Sequence, residues 1–342
     1  MSSALSLMRQ EIDETPDALR RLFGRSGDAI RDAGLRLRAL DPKVIVTVAR
    51  GSSDHAASYF KYAAEIRSGR PVASLGPSIA SVYGAPLRLA GSAAIAISQS
   101  GRSPDIVALL EAARAGGGET IAIVNAEESP LAAAADHVIP LAAGPERSVA
   151  ATKSCIASVV AALGVLAAWT EDRALTAALE ALPAALERAV RQDWTPALAA
   201  CAGGRSLYTL GRGPGLAVAA EAALKFKETS NLHAEAFSGA EVLHGPVALV
   251  EDGFPVLAFA PQDAAASSLS PIARRLADAG AALFVVGEAD AGIRLPHVGT
   301  SHPLTEPLSM LASFYGFVEA LARARGHDPD TPRGLRKVTE TL

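Results

Sequence analysis

The stretch ISQSGRSPD, Ile97 to Asp105, places Ser98, Gln99, Ser100 and Ser103 within six residues, with Gly101 among them and no lysine. Short hydroxyl and amide side chains suit the oxygens of a phosphate, especially where the free N–H groups of a helix start supply further donors. A nucleotide P-loop requires G-x-x-x-x-G-K-[ST], and its lysine is missing, so a sugar phosphate is favoured over a nucleoside triphosphate. An ordinary Ser-rich helix cap fits the same residues equally well. The loop ARGSSDHAA, Ala49 to Ala57, adds Gly51, Ser52 and Ser53 in a similar setting. No G-x-S-x-G is present, which argues against a hydrolase nucleophile.

A second ionisable segment runs from Glu221 to Pro246, EAALKFKETSNLHAEAFSGAEVLHGP. Glu221, Lys225 and Glu228 are spaced by four and three and share a helix face. Taken alone, such a face is more often a solvated salt-bridge stripe than a catalytic set. His233 and Glu235 continue the run, and His244 precedes Gly245-Pro246, a rigid turn that can present an imidazole. A carboxylate near a lysine and a histidine is the set needed to open a sugar ring and move a carbon-bound proton.

The elements that must position these groups alternate. VIVTVA (Val44–Ala49), AAIAIS (Ala93–Ser98) and TIAIVN (Thr120–Asn125) read as buried strands, each followed by a polar turn and helical periodicity. SLYTLG (Ser206–Gly211), PVLAFA (Pro255–Ala260) and ALFVVG (Ala282–Gly287) form a second series. VTVARGSSDH and YTLGRGPGLA both run strand, [AG]-R-G, helix, which reads as tandem duplication of one doubly wound α/β unit. Strands buried on both faces belong to parallel sheets, whose ligands sit beyond the carboxyl ends of the strands. The predicted organisation is an N-terminal helical segment (1–25), a first α/β domain (26–169), a helical connector (170–197), a second α/β domain (198–325) and a tail (326–342). Composition alone makes that Gly/Pro/Asp-rich tail a frayed end.

The 342 residues are 49% hydrophobic and 20% charged, with a net charge of −4 and dispersed basic residues, so neither nucleic acid nor a membrane surface is an expected partner. Cys155 and Cys201 lack C-x-x-C spacing and read as buried thiols. The seven histidines show no H-x-x-x-H or H-E-x-x-H spacing, so neither a metal nor another cofactor is expected. The N-terminus lacks a basic-then-apolar leader, and IASVVAALGVLAAW (Ile156–Trp169) is too short to span a bilayer. A cytoplasmic location is expected.

These motifs resemble those of the sugar isomerase (SIS) domain family. They are most similar to the isomerase portion of glutamine–fructose-6-phosphate aminotransferase (glucosamine-6-phosphate synthase) and to stand-alone glucosamine-6-phosphate deaminases. ARGSSDHAA, ISQSGRSPD, AGPERSVAATKS, the 221–246 segment and DPDTPRGLRKVTE occur in family order. The resemblance implies two tandem SIS domains, each a five-stranded doubly wound parallel sheet with helices on both faces. It implies that Ser53, Ser98, Gln99, Ser100, Ser103 and Val149 bind the sugar phosphate. Glu228 would carry the C1/C2 proton, with Lys225 close to the same carbons. His244, reaching from a neighbouring subunit, would open the ring, and Lys337 would form a Schiff base beneath the closed tail. A homodimer with shared active sites follows from that arrangement.

The sequence also departs from the synthase pattern: Ser2 stands where its glutaminase cysteine would, Arg102 replaces an acidic residue, and Val242-Leu243 replaces a Leu-Lys pair. The expected activity is therefore deaminating isomerisation of glucosamine 6-phosphate to fructose 6-phosphate and ammonia. Galactosamine 6-phosphate and fructosamine 6-phosphate are alternative substrates. A non-catalytic sugar-phosphate sensor is the rival class, although a sensor would not require the Glu228, His244 and Lys337 set.

Overall fold

A computed structural model describes residues 5–288 and 290–337. The last residues of the predicted tail, 338–342, and the first four of the chain lie outside it. Ten strands form two five-stranded sheets, every pairing parallel. The strands are β1 (Ile45–Val48), β2 (Val72–Ser74), β3 (Ala93–Ser98), β4 (Glu119–Val124) and β5 (His137–Pro140), then β6 (Ser206–Gly211), β7 (His233–Ser238), β8 (Pro255–Ala260), β9 (Ala282–Gly287) and β10 (Ile293–Leu295). The first sheet runs β2-β1-β3-β4-β5 and the second β7-β6-β8-β9-β10. Strand for strand the two orders are the same, as duplication requires.

The chain divides into two compact units. One holds the first sheet: Thr15–Glu146, Lys153–Pro183 and Lys337 with its neighbour Arg336. Its inner strands are buried except at Ser98 and Glu119 at their ends, because helices cover both faces, and alternate residues therefore serve different cores. Val46, Val48, Ala94, Ala96 and Ala122 pack with Ile106, Leu109 and Leu110 of the helix Pro104–Ala115. On the other face the helices Ser52–Ser68 and Lys153–Thr170 approach β3 and β4. Lys153–Thr170 is long and apolar enough to cross a membrane by composition, yet 83% of it is buried inside the protein as a core helix.

The other unit holds the second sheet and comprises residues up to Glu14, Arg147–Thr152 and Ala184–Leu335. One face of the sheet packs Tyr208, Leu210, Val256 and Ala258 against Leu269, Ile272 and Leu276. An aromatic group of Trp194, Phe226, Phe259, Phe314 and Phe317 fills another part of this unit. The connector expected from the sequence is helical, Arg173–Ala189, with Pro183 inside it.

The six strands legible from the sequence are the six inner strands, and β2, β5, β7 and β10 are the four edges. The frayed end suggested by composition is corrected by hydrogen bonds. Both carboxylate oxygens of Asp330 accept backbone N–H groups, from Leu7 and Met8 at 2.7 Å each, and its carbonyl accepts the N–H of Val149. Two short N–H···carboxylate bonds at a helix start are charge-assisted and anchor this part of the tail.

Candidate functional site

In the first sheet the strand order reverses between β1 and β3, so the loops leaving these two strands diverge and open a crevice beyond their carboxyl ends. The loop after β1 carries Arg50, Gly51 and Ser52, and Ser53 lies in the first turn of the helix Ser52–Ser68. The turn after β3 carries Ser98, Gln99, Ser100 and Ser103, all partly exposed. Its backbone is held from beneath: Asn125 and Ala126 donate to the carbonyls of Ser98 and Gln99, and Leu131 donates to that of Gly101. The hydroxyl of Ser98 accepts the N–H of Gly101 at 3.0 Å, which closes the turn on itself. Gly101 has φ +61°, and a Cβ there would lie 2.2 Å from Ser129 Oγ, so no other residue fits.

Ser103 occupies the cap position of the helix Pro104–Ala115, but its side chain makes no cap hydrogen bond. The cap explanation therefore fails at the residue where it should hold best, and this hydroxyl makes no side-chain hydrogen bond among the described residues. Beside the loop, burial pushes the carboxyl of Asp54 up, while His55 and Arg50 partly offset that. An open cleft of about 840 Å³ beyond β4 and β5 is lined by Arg21, Arg25, Asn125 and Gly144 and contains none of the serine turn. That cleft and the polar turn thus do not coincide, and the turn's donor pattern is the better guide to chemistry.

In the second sheet the helix Pro214–Ser230 follows β6 and carries Glu221, Lys225 and Glu228 on one face, as their spacing predicts. The solvated-stripe explanation fails here. The side chains of Lys225 and Glu221 are 0% and 1% exposed, and Lys225 Nζ sits 3.3 Å from Glu221 and in hydrogen-bond contact with Glu228. The hydroxyl of Tyr315 donates to Glu221 at 3.0 Å. Glu228 is the member of the set that reaches solvent, with 21% exposure. A buried ammonium held between two carboxylates leaves the outer one able to exchange a proton with a ligand while the inner one balances the charge.

The remaining predicted residues are placed apart. His244 is exposed at the end of a short 3-10 segment, Glu241–Leu243, and its side chain makes no hydrogen bond among the described residues. His233 and Glu235 do not extend the Lys225 cluster: both are exposed on the edge strand β7, where His233 bonds Ser206 at 2.9 Å. Val149 lies in the second-sheet unit, bonded to the tail as described. In the first-sheet unit Lys337 pairs with the buried Glu146 at 3.6 Å, and Glu146 also accepts from the N–H and hydroxyl of Ser154. Arg50 also pairs with the buried Asp105 at 2.6 Å, and Glu146, Tyr315 and this pair carry no signal in spacing, because each contact joins residues distant in sequence. Among the described residues no group of three His, Cys, Asp or Glu side chains could hold a metal ion.

Two copies of one parallel sheet, with hydroxyl side chains at the crevice of the first and a buried acid–amine–acid set on the helix after the leading strand of the second, define a duplicated doubly wound α/β protein. The SIS domain family matches residues 40–168 and 202–290, and the chain belongs to that family. It is 36% identical to glutamine–fructose-6-phosphate aminotransferase (isomerizing) of Symbiobacterium thermophilum over 96% of this chain and 58% of that protein. The corresponding enzyme of Caulobacter vibrioides is 34% identical over the same shares. The chain thus spans a little over half the length of these relatives. Among solved structures, a candidate phosphosugar isomerase of Silicibacter pomeroyi matches with a TM-score of 0.92 and 52% identity, over 95% of this chain and 100% of that one. Glucosamine-6-phosphate deaminase of Thermotoga maritima shares the fold, with a TM-score of 0.77 at 20% identity over 98% of this chain and 100% of that one.

Proposed function

We propose that the protein is a phosphosugar isomerase that acts on an amino sugar, taking glucosamine 6-phosphate to fructose 6-phosphate and ammonia. The observation that carries this reading is the set Glu221–Lys225–Glu228, buried on two sides and open to solvent at Glu228. In this reading the serine turn and Ser53 hold the 6-phosphate. Glu228 takes the proton from C2 of the open-chain sugar and returns it to C1, so the C2 amine becomes an imine. Water adds to that imine and ammonia leaves. Lys225 holds the Glu228 carboxylate and offsets negative charge developing on O1. Ring opening falls to His244, supplied by a second copy of the chain in a homodimer; its exposure and lack of a side-chain hydrogen bond in its own unit support that assignment. Lys337, released from Glu146, condenses reversibly with the ketose carbonyl, losing one water to form a Schiff base, and hydrolysis of that base returns the free lysine and fructose 6-phosphate.

The test is incubation of pure protein with glucosamine 6-phosphate while ammonia and fructose 6-phosphate are followed. Stoichiometric appearance of both is expected, and neither product at high protein concentration would overturn the reading. Running galactosamine 6-phosphate and fructosamine 6-phosphate in parallel identifies which amino sugar is preferred.

A further inference from the structure

Asp105 raises an electrostatic problem at the serine turn. Its side chain is fully buried, two residues past Ser103, and its Oδ1 accepts the N–H of Ile106 at 2.9 Å, one of the free donors of the helix start. A carboxylate there competes with any incoming phosphate for the positive end of the same helix, and an uncompensated like charge within a few ångströms in a partly buried setting weakens binding on the order of tenfold or more. An ion pair with Arg50 answers this. Arg50, half exposed, brings Nε and Nη2 each to 2.6 Å from Asp105 Oδ2.

We infer that Arg50 is a positioning residue of the anion site: it cancels the charge of the buried Asp105 and ties the loop after β1 to the helix that begins at the serine turn. The inference rests on reading that turn as the phosphate site. The topology gives the tie its use, because the loops after β1 and β3 lead to helices covering opposite faces of the sheet. A planar guanidinium can place two donors on one oxygen, whereas a lysine offers a single point charge.

The duplicated unit supplies an internal control. Arg212 stands in the same place after β6, and Gly213 beside it has φ 56° and ψ −135°, against 57° and −135° for Gly51. Arg212 nevertheless makes no ion pair among the described residues, and the loop after β8 is Pro261-Gln262-Asp263, without hydroxyls. If the arginine served the fold alone, both copies should use it alike. The pair exists only where the serine turn exists.

The test is calorimetric titration of the full chain with inorganic phosphate and with fructose 6-phosphate, with thermal melts confirming that each variant is folded. Arg50→Gln is expected to weaken both ligands at least tenfold, and Arg50→Gln combined with Asp105→Asn to recover to within about threefold of the parent. Arg50→Lys should fall between, and Arg212→Gln should bind like the parent. If Arg50→Gln does not fold, Asp105→Asn alone carries the test, with binding at least as tight as the parent expected and weaker binding overturning the inference. Unchanged affinity in Arg50→Gln, a double variant no better than the single one, or equal losses at Arg50 and Arg212 would also overturn it. Failure of the parent chain to bind either probe would instead remove the phosphate reading of the turn, and this inference with it.

Discussion

The crevice of the first sheet and that of the second have the same strand order and the same backbone angles at the glycine after the leading strand, but their side chains differ in kind. Beyond β1 and β3 stand neutral donors: Ser53, Ser98, Gln99, Ser100 and Ser103, with the one buried acid, Asp105, matched by Arg50. Beyond β6 and β8 the loops hold Arg212-Gly213 and Pro261-Gln262-Asp263, without hydroxyls, and the helix after β6 carries Glu221, Lys225 and Glu228 on one face. In the proposed function the first copy supplies the anion-binding surface and the second the proton-transferring carboxylate. Binding and proton transfer want opposite environments, since an acid or base near a phosphate is burdened by its charge, and two copies of one fold allow each to have its own.

Removing the outer carboxylate with Glu228→Gln attacks that division most directly. Turnover should fall about 10²–10⁴-fold, the usual share of a general acid–base group, while phosphate binding by calorimetry stays at the parent value. Loss of binding as well as turnover would mean that the two functions are not separated between the copies. Lys225→Met tests whether the second unit depends on its buried charges for stability. It leaves Glu221 buried without its cation, so urea unfolding should show a loss of about 3–5 kcal/mol. A near-neutral result would mean that these charges are solvated after all. The finest test concerns the shared framework. Gly51→Ala and Gly213→Ala each force a side chain into a positive-φ region without any steric neighbour, so each should cost about 1–3 kcal/mol, and the two losses should match. Unequal losses would show that the equivalent backbone angles are held by unequal surroundings.

Local pattern made part of this legible. The inner strands, such as AAIAIS, are buried on both faces by crossover helices and so read as unbroken apolar runs. Edge strands are short and half wet. β2 is exposed at two of its three residues and β7 alternates His, Ala, Glu, Ala, so their composition resembles loop or charged helix. The serine turn was visible as a dense polar cluster after an apolar run, but both a phosphate cradle and a cap fitted it, and only the unbonded Ser103 side chain separates them. Likewise the helix face of Glu221, Lys225 and Glu228 followed from spacing, whereas its burial did not, because burial depends on what the rest of the unit lays over that face.

By itself the order of residues determined the strand–helix alternation, the duplication, the polar turn and which ionisable groups share a helix face, since all of these arise from neighbours within a few turns of chain. Tertiary structure alone decided that Arg50 answers Asp105, that Tyr315 reaches Glu221, that Lys337 rests on Glu146, and that Asp330 pins the tail to the first helix. Each of those contacts closes a loop of tens to hundreds of residues, and no local periodicity carries information about which distant partner a buried charge will meet.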